Sequence, residues 1–275
     1  MHSSFSPCIR AWIEVLLVLA VCSSLPAQES QIVAIADQMA GSLSHSKQKT
    51  VVILDFVCPD EIAVLGQKLA ADFREALIKS AHDFRVEDRS QLLELLQKNG
   101  LLPGSIRDRE TAVWYLRNSG ADAAILGTLS NGSGGLKVSL QAFSLRKSEL
   151  FSELETSIPL ADDLKGLLGQ HEKDEFAFLP KANKNGYISP ACIYCPTPPF
   201  TAEASRRKSA GTVVMQITID EDGHARDIRV KNALPYGLTE QATEAVREWR
   251  FKPSTGPDGK LAAVRITIQI TFHLY

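Results

Sequence analysis

The final dozen residues constrain the chain most. Val264, Ile266, Ile268, Ile270, Phe272 and Leu274 alternate with Arg265, Thr267, Gln269, Thr271 and His273. Apolar residues at period two predict a strand with one face on a core and the other in solvent. Upstream, Val213, Met215, Ile217 and Ile219 face one way, with Thr212, Val214, Gln216 and Thr218 opposite. Asp220-Glu221-Asp222-Gly223 reads as a hairpin turn in which glycine supplies positive φ, and Ile228 and Val230 continue the second strand. Leu238, Ala242, Ala245, Val246 and Trp249 fall on one helical face that would cover this sheet. The pattern predicts a small two-layer β-β-α-β domain over residues 211–275.

The preceding half has a different grammar. Val51-Val52-Ile53-Leu54-Asp55-Phe56 is a continuous apolar run, as in a strand buried on both faces. Leu65, Leu69, Phe73, Ala76 and Leu77 recur at helical spacing up to about Ser80. A short strand at 84–87 and a helix capped by Ser90 and stopped at Asn99-Gly100 follow. A third helix is expected over about 107–118, then a buried strand at 123–129, a turn at 131–135 and a hairpin of 136–145 with 150–158. Strands alternating with helices and ending in a hairpin predict a mixed sheet with helices packed on it, over residues 48–170. The fold class expected for the whole is therefore α+β: a sandwich-like α/β domain, then the small carboxy-terminal one. Between them, residues 171–210 break the composition with Pro180, Pro190, Pro196, Pro198 and Pro199 and read as a linker.

The amino terminus carries Arg10, an apolar stretch from Ala11 to Val21, and Pro26-Ala27 before a polar segment. That is the layout of a secretory signal peptide over residues 1–27, cleaved after Ala27. An uncleaved anchor and lipidation at Cys22 are the alternatives; the run is short for a membrane span, and Val21 is wrong for a lipobox. Export would leave Cys58, Cys192 and Cys195 in an oxidising compartment.

Two resemblances accompany these patterns. The succession Val52-Ile53-Leu54-Asp55-Phe56, a helix, Val86-Glu87-Asp88-Arg89, Gly120-Ala121-Asp122 and Leu126-Gly127-Thr128 resembles the amino-terminal domain of TolB and the FlgO and CsgG envelope proteins over residues 48–160. That resemblance implies an envelope protein that is not an enzyme. More specifically, Pro198-Pro199-Phe200, Gly211-Thr212-Val213, Asp222-Gly223 and Ala245-Val246-Arg247-Glu248-Trp249-Arg250-Phe251-Lys252-Pro253 resemble the TonB carboxy-terminal domain over residues 196–275. The motif residues are Gly211, Gly223, Trp249, Phe251 and Pro253. This second resemblance implies a periplasmic location and binding of an extended segment of an outer-membrane receptor or transporter. An assembly scaffold without an energy-transducing role is the alternative.

A small open sheet leaves an edge of unpaired N–H and C=O groups, which an extended peptide can join as an added strand. The candidate edge is the last strand, with Arg265, Thr267, Gln269 and Thr271 flanking the peptide. Cover by the linker, or by a second copy in a homodimer, is the competing expectation. Cys192-Ile193-Tyr194-Cys195-Pro196 is read as a local disulfide, since neither zinc ligands at matching spacing nor a helix for a redox pair accompanies it. Cys58 would stay unpaired and buried. The runs Glu172–Glu175 and Arg206–Lys208 read as solvated linker surface. The net charge is −2, too balanced for a nucleic-acid clamp. No catalytic constellation, P-loop, metal cluster or cofactor motif is visible, so no enzyme and no cofactor are expected.

Overall fold

In a computed structural model, residues 27–132, 135–159, 165–168, 179 and 181–274 are described. The export segment, apart from Ala27, and the acidic run at 172–175 lie outside them. The architecture is α+β. Helix α1 (Ala27–His45) precedes strand β1 (Thr50–Ile53), helix α2 (Ala63–Ser80), β2 (Arg85–Val86), α3 (Arg89–Lys98), α4 (Arg109–Leu116) and strands β3 (Ala123–Gly132), β4 (Gly135–Ser144) and β5 (Leu150–Pro159). These strands form one sheet in the order β2-β1-β3-β4-β5, parallel through β2, β1 and β3 and antiparallel from β3 onward.

The continuous apolar run at β1 is explained by helices on both faces. Val51 and Ile53 join α1 and α2 in one core with Ile125 and Leu140, while Val52 and Leu54 join α3 and α4 in another with Leu126 and Phe143. Helix α1 is absent from the expectations above. Its buried Ile32, Ile35, Ala36, Met39, Ala40 and Leu43 nevertheless follow the three-and-four spacing of one helical face. No helix among the described residues is long and apolar enough to cross a membrane.

Strand β1 stops earlier than its apolar run. Asp55, buried beyond its end, meets the guanidinium of Arg89 at 2.8 Å and so ties the start of α3 to the sheet. The cap of α3 is Asp88, whose carboxylate accepts from Ser90 N–H, and not Ser90 itself. Asp108 caps α4 and also holds Thr111: Oδ1 accepts from its N–H and Oδ2 from its hydroxyl, at 2.8 and 2.7 Å. Asp108→Ala is expected to cost about 1 kcal/mol of stability, read as a lower thermal midpoint with an unchanged spectrum of the native state.

The second sheet contains β7 (Gly211–Ile219), β8 (Ala225–Asn232) and β12 (Val264–Phe272) in the order β12-β7-β8, all antiparallel. Helix α6 (Leu238–Glu248) packs on β8 and β7. The last strand ends at Phe272, and Leu274 is exposed beyond it. Between the two sheets, the stretch read as linker is partly ordered. Strand β6 (Ala191–Tyr194) pairs with β9 (Arg250–Lys252), and helix α5 (Ala202–Arg207) is capped by Thr201. Arg206 and Arg207 thus belong to a helix, where both pair with Glu203. A two-residue pair, β10 (Ser254–Thr255) and β11 (Leu261–Ala262), completes the elements.

Candidate partner-binding edge

A three-stranded sheet has two edges, and here they are treated differently. On the β8 side, Val230 N–H donates to Gly100 O and Leu102 N–H donates to Val230 O, both at 2.9 Å. This is a parallel bridge from the α3–α4 loop of the first domain. Ala233 N–H donates to Ser105 O at 2.9 Å a little further on. Side chains reinforce the contact: Tyr236 Oη–H donates to Glu110, Tyr115 Oη–H donates to Glu240, and Trp114 and Tyr236 meet edge to face at 5.3 Å. Leu101, Ile106 and Leu116 share one hydrophobic cluster with Val230, Leu234 and Tyr236. The first domain therefore closes this edge.

On the β12 side the pairing parity identifies which backbone groups face out. Thr212 O accepts from Asn232 Nδ2 at 2.6 Å, so it points toward β8 and away from β12. Its register partner is Thr271, and β12 pairs with β7 without a bulge from Val264 to Phe272. In an antiparallel ladder the pairs alternate between bonded and unbonded. Arg265, Thr267, Gln269 and Thr271 consequently turn N–H and C=O away from β7, while Ile266, Ile268 and Ile270 bond to it. Arg265 agrees, since its carbonyl accepts from Ala182 N–H of the linker at 3.4 Å. The linker thus meets this edge at Arg265.

The four residues expected to flank a peptide are thus not equivalent. Thr267, Gln269 and Thr271 are exposed, whereas Arg265 is buried at 4% exposure where the linker touches the strand. On the other face, Ile266 and Ile268 stay half-buried because α6 sits over β7 and β8. The far end is closed by Phe200 against Phe272 at 5.9 Å. The open stretch therefore runs from Thr267 to Thr271, with an apolar side and a hydroxyl- and amide-bearing side.

The motif residues shape the domain behind this edge. At Gly223, φ is 82°, and a Cβ there would fall 2.0 Å from Phe251 O, so the turn admits only glycine. Gly211 opens β7 against Leu234, Phe251 is buried between β6 and the turn, and Pro253 separates β9 from β10. Trp249 Nε1–H donates to Pro196 O at 3.0 Å, fastening the linker to the end of α6. Cys192 and Cys195 form a disulfide beside this contact. Cys58 is half-buried instead of buried, with its thiol 3.8 Å from Ile62 O.

One cluster of potential ligand atoms occurs among the described residues, at Asp220, Asp222 and His224. The Asp220 carboxylate is already engaged by the N–H groups of Asp222 and His224 and by Arg226. It braces the hairpin turn.

Comparison with known proteins bears on this second domain. Residues 196–274 match the family described as Gram-negative bacterial TonB protein C-terminal. The carboxy-terminal domain is TonB-like. No curated protein matches the chain. Among solved structures, the Pseudomonas aeruginosa TonB carboxy-terminal domain is similar at 25% identity and a TM-score of 0.28, over 36% of this chain and 96% of that one. The LpoB carboxy-terminal domain from Salmonella enterica is similar at 16% identity and a TM-score of 0.39, over 46% of this chain and 95% of that one. TolB from Acinetobacter baumannii is similar at 8% identity and a TM-score of 0.29, over 66% of this chain and 38% of that one. With TM-scores below 0.5, none of these likenesses carries a function across.

Proposed function

We propose that this is an exported cell-envelope protein whose TonB-like domain binds an extended segment of an outer-membrane receptor or transporter by strand addition at β12. The observation that carries this reading is the contrast between the two edges. The β8 edge is joined by Gly100–Leu102, whereas Thr267, Gln269 and Thr271 turn their backbone groups outward on a strand that α6 leaves half-covered. An added strand would bond to those groups, set apolar side chains beside Ile266 and Ile268, and set polar ones beside Thr267, Gln269 and Thr271. Each backbone bond contributes about 0.5–1.5 kcal/mol net, so a short pairing gives modest affinity and ready release.

Binding is not a chemical step, and no catalytic role is assigned. Titrating the full chain with peptides from the amino-terminal segments of outer-membrane receptors tests the reading. Amide exchange should slow at Thr267, Gln269 and Thr271 and stay unchanged at Val230. Unchanged exchange throughout 264–272 at saturating peptide would overturn it.

A scaffold role is the second reading, and the clasp between the domains favours it. A domain hydrogen-bonded to its neighbour through β8 is presented as part of one body, not swung on a free tether. Under this reading partners recognise surfaces of the first domain, and their capture would survive loss of the β12 edge.

A further inference from the structure

The two strand pairs formed by β6 with β9 and β10 with β11 on the TonB-like domain have an exposed composition that the strand-addition reading does not use. Residues 188–194 run antiparallel to 250–255: Ile188 lies opposite Thr255, Ala191 opposite Lys252, and Tyr194 opposite Arg250. Leu261 continues the row on the far side of Thr255. Phe251 and Ser254 of the same stretch are buried, whereas Arg250 and Lys252 are exposed. Ile188, Tyr194 and Leu261 are 64%, 58% and 56% exposed, and Ile193 on the neighbouring bulge is 69% exposed.

Within these two stretches the charge is one-sided. Residues 181–194 and 250–262 hold five cations, Lys181, Lys184, Arg250, Lys252 and Lys260, against the single anion Asp258, in a chain whose net charge is −2. All five cations are exposed. Exposed aliphatic and tyrosine side chains interspersed with lysines along these stretches match the layered chemistry of a lipid headgroup region: apolar tips enter the acyl boundary while ammonium groups meet phosphates. The strand edge here is poorly suited to a peptide. Pro190 and Pro196 flank β6, the register shifts between Cys192 and Tyr194, and the disulfide closes the loop.

We propose that this face, formed by Ile188, Tyr194 and Leu261 with Lys184, Lys252 and Lys260, rests on an anionic phospholipid surface. The β12 edge lies on a different strand pairing, so the two contacts are separable. The Cys192–Cys195 loop and the Trp249–Pro196 bond would hold the apolar tips in place, which limits the ordering that binding requires.

Local hydrogen exchange of the full chain on vesicles tests this, because it reads the face itself whatever the amino-terminal segment does. With vesicles of phosphatidylcholine and phosphatidylglycerol, exchange should slow in 188–194 and 250–262; with phosphatidylcholine alone it should not. The Lys184→Gln, Lys252→Gln, Lys260→Gln variant should need on the order of a hundredfold more anionic lipid for the same protection. Ile188→Ser with Leu261→Ser should also lose protection, and both variants should keep the wild-type circular dichroism. No slowing on anionic vesicles, or equal slowing in the lysine variant, overturns the proposal. Equal slowing with soluble polyglutamate would also overturn it, in favour of an acidic protein segment.

Discussion

Gln269→Pro is expected to leave the TonB-like domain folded and to reduce capture of an extended peptide by at least about tenfold. Ile268→Pro, one residue away, is expected to unfold the domain. The difference follows from pairing parity. The N–H of Gln269 faces outward, as fixed by Thr212 O bonding toward Asn232 and by Arg265 O bonding to Ala182. Proline is tolerated on an edge strand where its missing N–H would have faced solvent. There it removes a donor that a partner needs, and its ring obstructs the approach of a second backbone. At Ile268 the same ring faces β7, deletes a ladder bond opposite the buried Met215 and pushes the strands apart. Calorimetry with a receptor-derived peptide and thermal melts of both variants measure the two effects. Wild-type affinity in a folded Gln269→Pro variant would remove β12 as the binding edge. A folded Ile268→Pro variant with lost binding would invert the parity.

Much of the architecture is legible in the residues, and the gaps have identifiable causes. The alternation at 264–272 is readable because one face of β12 meets a core and the other does not. The buried run at 51–54 is readable because two helical layers cover β1, although the ion-paired Asp55 ends the regular strand sooner than apolarity suggests. Helix α1 was present in the spacing of Ile32, Ile35, Met39 and Leu43, adjacent to a segment that reads as a discarded signal. Arg265 is different. Its place in the alternation marks it as solvent-facing, and only the return of the linker at Lys181 and Ala182 buries it. No local pattern carries such long-range information. The same holds for Gly100–Leu102: a helix-stopping glycine followed by two leucines says that a turn exposes apolar side chains, not that their backbone will extend a sheet formed by residues 130 positions later.

The clasp yields the second large effect. A chain reduced to residues 179–275 is expected to self-associate, whereas the full chain keeps its β8 edge closed. Truncation removes the acceptor for Val230 N–H, the donor for Val230 O and the acceptor for Ala233 N–H, and it uncovers the side of the cluster that Leu101, Ile106 and Trp114 had covered. An open edge beside exposed apolar surface is a template for a second copy. Light scattering should report dimers or larger species, and Val230 amide exchange should quicken wherever the truncated domain remains monomeric. In the full chain, Leu101→Ala should cost about 2–4 kcal/mol through the cavity left in the shared core and should quicken the same amide. The two tyrosines add a pH signature. Burial, then the bond to Glu110, raises the Tyr236 phenol to about 12, and burial, then Glu240, raises Tyr115 as well. Groups with folded pKa values above their unfolded ones stabilise fully below the unfolded pKa near 10 and cease to as pH rises through the folded values. Val230 protection, corrected for the intrinsic rise of exchange with pH, should therefore be flat from pH 6 to 9 and weaken in stronger alkali. A truncated domain that stays monomeric, with Val230 as protected as in the full chain, would show that the first domain is not what closes this edge.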